Sequence, residues 1–178
     1  MEKLKKPKAT IRKDITIESD YIDCIKDVVN RDVLWRMSNY PHHGEYSCLD
    51  HCFHVSYLSY KICKKLNFDY CSTARGALLH DLFLYDWHTD KPLEGLHGFV
   101  HPRIALQNAD DHFELNEIER DIIVKHMWPL TIVFPKYKES FIVQLVDKYC
   151  AIIETFNRRD IIENTLLNEF VKLLANEL

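Results

Sequence analysis

The sequence predicts an all-α fold, a single helical bundle, on three grounds. Apolar residues recur at three- and four-residue spacing over most of the chain, and no long stretch alternates with the period of two that a half-buried strand requires. Only four glycines occur in 178 residues, so little punctuates the chain in the way hairpins need. That length favours one domain, large enough for one core to bury roughly 70% of the surface an unfolded chain exposes.

The elements follow in order. Residues 1–17 form a basic extension, with Lys3, Lys5, Lys6, Lys8, Arg12 and Lys13, read as a solvated tail or an interaction arm. Residues 18–178 form the helical domain. A first helix is expected over 19–39, with Tyr21, Ile22, Ile25, Val28 and Val29 on one side. The breaker-rich Tyr40-Pro41-His42-His43-Gly44 is a loop. A second helix, 48–66, carries the stripe Val55, Leu58, Ile62 and Leu66. A third, 70–84, is apolar on most sides and therefore central. Residues 86–98 are polar and broken by Pro92, a loop. Pro102 suits the first turn of a fourth helix, with His101 at or near its cap. Asn116 and Glu119 have capping-box spacing and open a fifth, with Pro129 beyond its last turn. A sixth spans 139–156. Asp160 and Glu163 open a last amphipathic helix bearing Ile161, Leu166, Phe170, Leu173 and Leu174.

Net charge of −4 argues against a nucleic-acid-binding face. No run approaches the roughly 20 apolar residues a membrane span requires, and no apolar stretch follows the basic start as in a signal peptide. A cytoplasmic location is expected. The six cysteines (Cys24, Cys48, Cys52, Cys63, Cys71, Cys150) form no Cys-x-x-Cys pair and are expected to be reduced thiols. Cys48 and Cys52 lack companions for a four-ligand structural zinc site.

The pair His80-Asp81 ends the apolar run Ala77-Leu78-Leu79, and an ionised carboxylate there must pair, neutralise or meet a metal. His51 is in register with Val55, Leu58 and Ile62 and faces inward. His54 is in register with Lys61 and Lys65, the expected wet face. His126 shares a stripe with Ile118 and Ile122, and Asp147 has Val143 and Cys150 as face neighbours. His101 opens its own helix. Singly, each has an ordinary structural reading: His51 as a core histidine bonded to backbone, Asp147 as a brace or a partner of Arg75. As a set, inward groups of one chemical type on separate helices need a common positive centre. Imidazoles with carboxylates suit zinc, manganese, iron, cobalt or nickel, and magnesium less. His42 and His43, and later His88 and His97, lie in loops from which they can reach a substrate or simply face solvent. His112 reads as helix surface. Phosphate-cradling Gly-x-x-x-x-Gly-Lys-Ser/Thr loops, Gly-x-Gly-x-x-Gly and Gly-x-Ser-x-Gly are absent.

The order His51, His80-Asp81, His126, Asp147 resembles the HD superfamily of metal-dependent phosphohydrolases. The local wording is similar in Asp50-His51-Cys52-Phe53-His54-Val55-Ser56, Ala77-Leu78-Leu79-His80-Asp81, Val124-Lys125-His126 and Leu145-Val146-Asp147-Lys148, and the motif-bearing part spans about 44–156. The resemblance implies that His51, His80 and Asp147 hold one divalent transition-metal ion and that His101 and His126 hold a second, with Asp81 bridging. His97 competes with His101 for its place. Many members follow the His-Asp pair with glycine and lysine, where this chain has Leu82-Phe83-Leu84. Lys148 or Arg75 is therefore expected to supply positive charge. The glycine-tyrosine-proline motif of the cyclic-di-GMP branch is absent.

The implied activity is hydrolysis of a phosphate mono- or diester, in a small molecule or nucleotide, by metal-activated hydroxide. Asp81 orients the nucleophile, Arg75, Lys148 and Arg103 meet phosphate, and His43 and His88 approach the substrate. Two alternatives stand: a metal-containing structural or ligand-sensing module, with the last helix contacting a partner, and a di-iron oxygenase on the same fold.

Overall fold

The computed structural model describes residues 17–44, 46–90 and 95–156. The expected basic extension, up to residue 16, and the last amphipathic helix lie outside them. Among the described residues there are seven α-helices: α1 (Ser19–Val29), α2 (Asp32–Trp35), α3 (Cys48–Lys65), α4 (Tyr70–Leu79), α5 (His97–His112), α6 (Glu117–Lys125) and α7 (Lys138–Thr155). None is long and apolar enough to cross a membrane.

Helices α3 and α4 form the central pair. α7 lies against α3, α6 against α4 and α7, and α5 against α6. The start of α3 is set by a capping box: Asp50 N donates to the Ser47 hydroxyl at 3.2 Å, and Ser47 N donates back to Asp50 Oδ2 at 3.0 Å. That anchors His51 in the first turn. Asp69 caps α4 by accepting from Ser72 N at 2.9 Å, and Asn116 with Glu119 forms the predicted box at α6. Gly76 lets α4 and α6 approach closely, since a Cβ there would lie 2.9 Å from Ile122 Cδ1 and 3.1 Å from Glu119 Cα. The approach brings the ends of both helices, with His80 and His126, to one place.

Four expectations about elements are corrected. The first helix breaks after Val29, and the chain re-enters helix at Asp32 before a 3-10 turn over Arg36–Asn39. The third stops at Leu79, where tight turns take over: Leu82 N donates to Leu79 O and Phe83 N to Asp81 O, and Leu84 adopts φ +57°. His80-Asp81 therefore sits at a helix end, free of the ladder. The fourth begins at His97, so His101 lies one turn in and Pro102 is interior, where its missing N–H forfeits a helical bond. Finally, Cys24 of α1 and Cys71 of α4 are joined by a disulfide, with Cα atoms 5.0 Å apart, so not all six cysteines are reduced thiols. Cys48, Cys52, Cys63 and Cys150 are buried free thiols.

Candidate metal centre

His51 of α3, His80 and Asp81 at the end of α4, His101 of α5, His126 at the end of α6 and Asp147 of α7 converge and are all buried. The outer ring nitrogens settle which way each imidazole presents itself. His80 Nδ1 donates to Ala77 O at 2.7 Å, His101 Nδ1 to His97 O at 2.8 Å and His126 Nδ1 to Ile123 O at 2.9 Å. A carbonyl only accepts, so Nδ1 carries the proton and Nε2 of the neutral ring offers a lone pair. All three Nε2 atoms point inward.

There they meet only other electron pairs. His101 Nε2 and His126 Nε2 are 2.8 Å apart, and they lie 3.2 and 3.5 Å from Asp81 Oδ1. His80 Nε2 is 3.4 Å from Asp81 Oδ2 and 3.7 Å from Asp147 Oδ1, which is itself 3.1 Å from His51 Nε2. His80 Nε2 and Asp81 Oδ1 are buried without a hydrogen-bond partner. Such an array is repulsive unless a cation sits among the donors, so these residues fit a divalent metal. The ligand atoms of His51, His80 and Asp81 lie within 4.8 Å of one another, and so do those of Asp81, His101 and His126.

Protons are the alternative source of positive charge. Burial disfavours charge on His51, but hydrogen bonds to Asp147 and Glu154 outweigh it and lift its pKa to about 10. His80 is also held above the usual range: burial opposes charge there, but the attraction of Asp81 and Cys52 and the contacts with Asp147 together outweigh it. Asp81 and Asp147 are held well below the carboxylate range: burial opposes this, and the facing histidines prevail. His126 goes the other way, pushed by burial to about 3. A metal entering the cluster must expel the protons that His51 and His80 retain.

Glu154 is a member that the sequence reading missed. It is 1% exposed, and its two oxygens accept from His51 Nδ1 at 2.7 Å and His54 Nδ1 at 2.8 Å. This corrects the reading of His54 as a wet-face residue: it is 3% exposed, because α7 covers the side of α3 on which it lies. A buried acid at the end of an apolar helix was the available signal.

Above the centre lies a pocket of about 570 Å³, lined by His42, His43, Asp81, Trp87, His97, His101, His126, Met127, Leu130, Asp147 and Lys148 among others. Lys148 Nζ donates to His126 O at 2.9 Å and stands 3.8 Å from Asp147 Oδ2, with burial lowering its pKa. His43 lines the wall, its ring 5.5 Å from that of His51. His97 stacks on His101 with centroids 4.4 Å apart and pairs through Nδ1 with the Tyr85 hydroxyl, which leaves His101 as the one facing Asp81.

Three expected site residues are placed elsewhere. Arg75 is not at the pocket: it pairs with Asp27 and, at 2.6 Å, with Glu119, and donates to Glu114 O at 3.2 Å. His88 is exposed, bonded to Asp86 at 3.1 Å with its ring tilted against that of Trp87 at 3.9 Å, and it is outside the lining. Arg103 is exposed on α5 and likewise outside it, since the helix turns His101 inward and its second neighbour outward. His112 is exposed, as expected. Two further residues that the sequence reading did not name for the centre face it: His42, which it placed in a loop, and Trp87.

No curated protein and no solved structure matches the chain significantly. The model of the HD domain family matches residues 48–152, well over half of the sequence and the stretch from the start of α3 nearly to the end of α7. With the histidines and aspartates of that stretch converging as described, the chain belongs to the HD domain family of metal-dependent phosphohydrolases.

Proposed function

We propose that this protein hydrolyses a phosphate mono- or diester in a small molecule or nucleotide, at a centre holding two divalent transition-metal ions. The observation that carries the reading is the division of labour at Asp81. Its Oδ2 faces His80 while its Oδ1 faces His101 and His126, as a carboxylate does when it bridges two ions. His51, His80, Asp147 and Oδ2 would hold one ion; His101, His126 and Oδ1 would hold the other. When bound, such ions supply Lewis acidity toward phosphoryl oxygens and make water acidic enough to serve as a nucleophile near neutral pH.

The chain's own groups do the rest. Asp81 orients the nucleophile. Lys148, tethered to the His126 carbonyl, presents an ammonium to a phosphate seated over the centre. His43 offers a further polar contact in the pocket lining. Trp87, Met127 and Leu130 flank the remainder of the substrate and exclude water. The direct exposure of Asp81, His101, His126 and Asp147 to the pocket favours catalysis over a purely structural or sensing metal.

The test is elemental analysis of the purified protein, then a panel of phosphomonoesters and phosphodiesters with manganese, iron, cobalt, nickel or zinc restored. Metal-dependent turnover that is lost in Asp81→Ala is the expected result. Full metal occupancy with no turnover on either ester class would leave the sensing or structural reading.

A further inference from the structure

We infer that His42 is an additional protein ligand, completing the coordination of the ion at His51, His80 and Asp147 and leaving the ion at His101 and His126 as the open one. The inference rests on the two-ion reading above. His42 precedes the matched residues 48–152, so the family match does not supply it.

The loop that carries it is firmly seated. His42 N donates to Tyr46 O at 2.9 Å, Cys48 N to Tyr40 O at 2.9 Å, and Pro41 forms a β-bridge with Ser47. Gly44, at φ +60°, packs so closely on α7 that a Cβ would lie 2.7 Å from Glu154 O. The chain thereby drives an imidazole into the interior, where it is 7% exposed. Its Nδ1 is buried without a partner, and its Nε2 lies 3.3 Å from Asp81 Oδ2, the oxygen that also faces His80. A hydrogen bond from an imidazole N–H to a carboxylate spans about 2.7–3.2 Å. A separation of 3.3 Å instead suits two ligands on one ion, whose bonds of about 2.1 Å set neighbouring donors roughly 3.0–3.4 Å apart.

The ring lies 4.4 Å from that of His51, and the ligand atoms of His42, His43 and His51 fall within 4.8 Å of one another. Cys48 also approaches His42 and Asp81, but its thiol is turned to the Asp81 backbone carbonyl, to which it donates at 3.3 Å. His42 is thus the unassigned donor on the Oδ2 side. On the Oδ1 side His101 and His126 have no such further histidine donor among the described residues, so three protein donors stand there against five on the Oδ2 side. The result is an asymmetric centre, with one ion held by more protein donors and one ion left open and exchangeable.

The wild-type protein tests this directly. In protein labelled with nitrogen-15 histidine and loaded with Zn(II) alone, His42 Nε2 is expected to shift to the metal-bound range together with the Nε2 atoms of His51, His80, His101 and His126. Titration of metal-free protein with Co(II) is expected to show a tight and a weak step. His42→Gln should weaken the tight step by about 10- to 100-fold and leave the weak step in place. In His42→Gly, free imidazole should restore it. A His42 nitrogen unperturbed by Zn(II) overturns the inference, as does a tight step unchanged in His42→Gln. Protein that takes up no metal overturns this inference and the two-ion reading alike. Coordinated His42 in a protein that hydrolyses no phosphate ester upholds the ligand and removes only the proposed reaction.

Discussion

Two polar clusters flank the α4–α6 contact, and they are built on opposite principles. Around Arg75 every charge has a fixed partner. Its guanidinium meets Asp27, Glu119 and the Glu114 carbonyl; Glu119 also accepts from Asn116 N at 2.9 Å, and Asn116 Nδ2 donates to the Ser72 hydroxyl at 2.8 Å. None of these side chains leaves a buried atom unpaired. At the metal centre, lone pairs face lone pairs, and His42, His80 and Asp81 each keep a buried atom without a partner. A satisfied cluster holds helices together. An unsatisfied one, held in place by the surrounding fold, has the donor set that fits a cation.

Breaking each cluster should therefore cost different things. Asp81→Ala, the largest effect, is expected to strip most metal and abolish turnover while the helical content, read by circular dichroism, stays intact. Metal content at the wild-type level in this variant would contradict the assignment of the centre. Arg75→Ala is expected to do the reverse. It leaves Glu119, 2% exposed, as a buried carboxylate with no cation and only the Asn116 N–H to satisfy it, a loss of about 3 kcal/mol in denaturant unfolding, with metal content unchanged. If Arg75→Ala instead lost metal while keeping its stability, the two clusters would be functionally one.

Glu154 joins the two principles, a satisfied group that orients an unsatisfied one. Glu154→Gln is expected to weaken metal binding by about 10- to 100-fold, because it no longer holds His51 with Nε2 inward. His54→Gln removes only the second bond to Glu154. It should cost about 1 kcal/mol of stability and change metal affinity far less, as measured by competition with a chelator. Equal losses of affinity in both variants would show that Glu154 acts by packing rather than by orienting His51.

The smallest effect is on pH dependence in the metal-free protein. His126 and His97 have folded pKa values near 3 and 4, below the ordinary 6.5, chiefly through burial. Below pH 6.5 the unfolded chain takes up protons that the folded chain refuses, so stability falls as pH drops through that window. His51 has the opposite sign: its contribution is complete below pH 6.5 and is lost as pH rises through about 10. Denaturant midpoints of chelator-treated protein should decline on both sides, and His126→Ala should flatten the acid side. An unchanged acid slope in that variant would mean that His126 does not carry the effect.

The sequence by itself determined the helical class, most helix starts and the order of the inward donors. These are local or periodic properties: Asn116 and Glu119 spell a capping box, and His51 keeps the phase of buried Val55. The expected stripe does not stay inside, for Leu58 is half-buried and Ile62 and Leu66 near the end of α3 are exposed. Tertiary structure alone decided what lies across from each donor. Glu154 meets His51 at a separation of 103 residues, and periodicity within α3 cannot say that α7 covers the face bearing His54. Arg75 left the expected site because Asp27 of α1 and Glu119 of α6 reach it first, and Cys24 met Cys71 through the packing of α1 on α4. His42 entered the centre through a loop whose path follows from a bridge, a backbone bond and one left-handed glycine, none of which has a period. Helical faces are written in spacing, whereas the partners of buried charges depend on which distant surfaces the packing brings together.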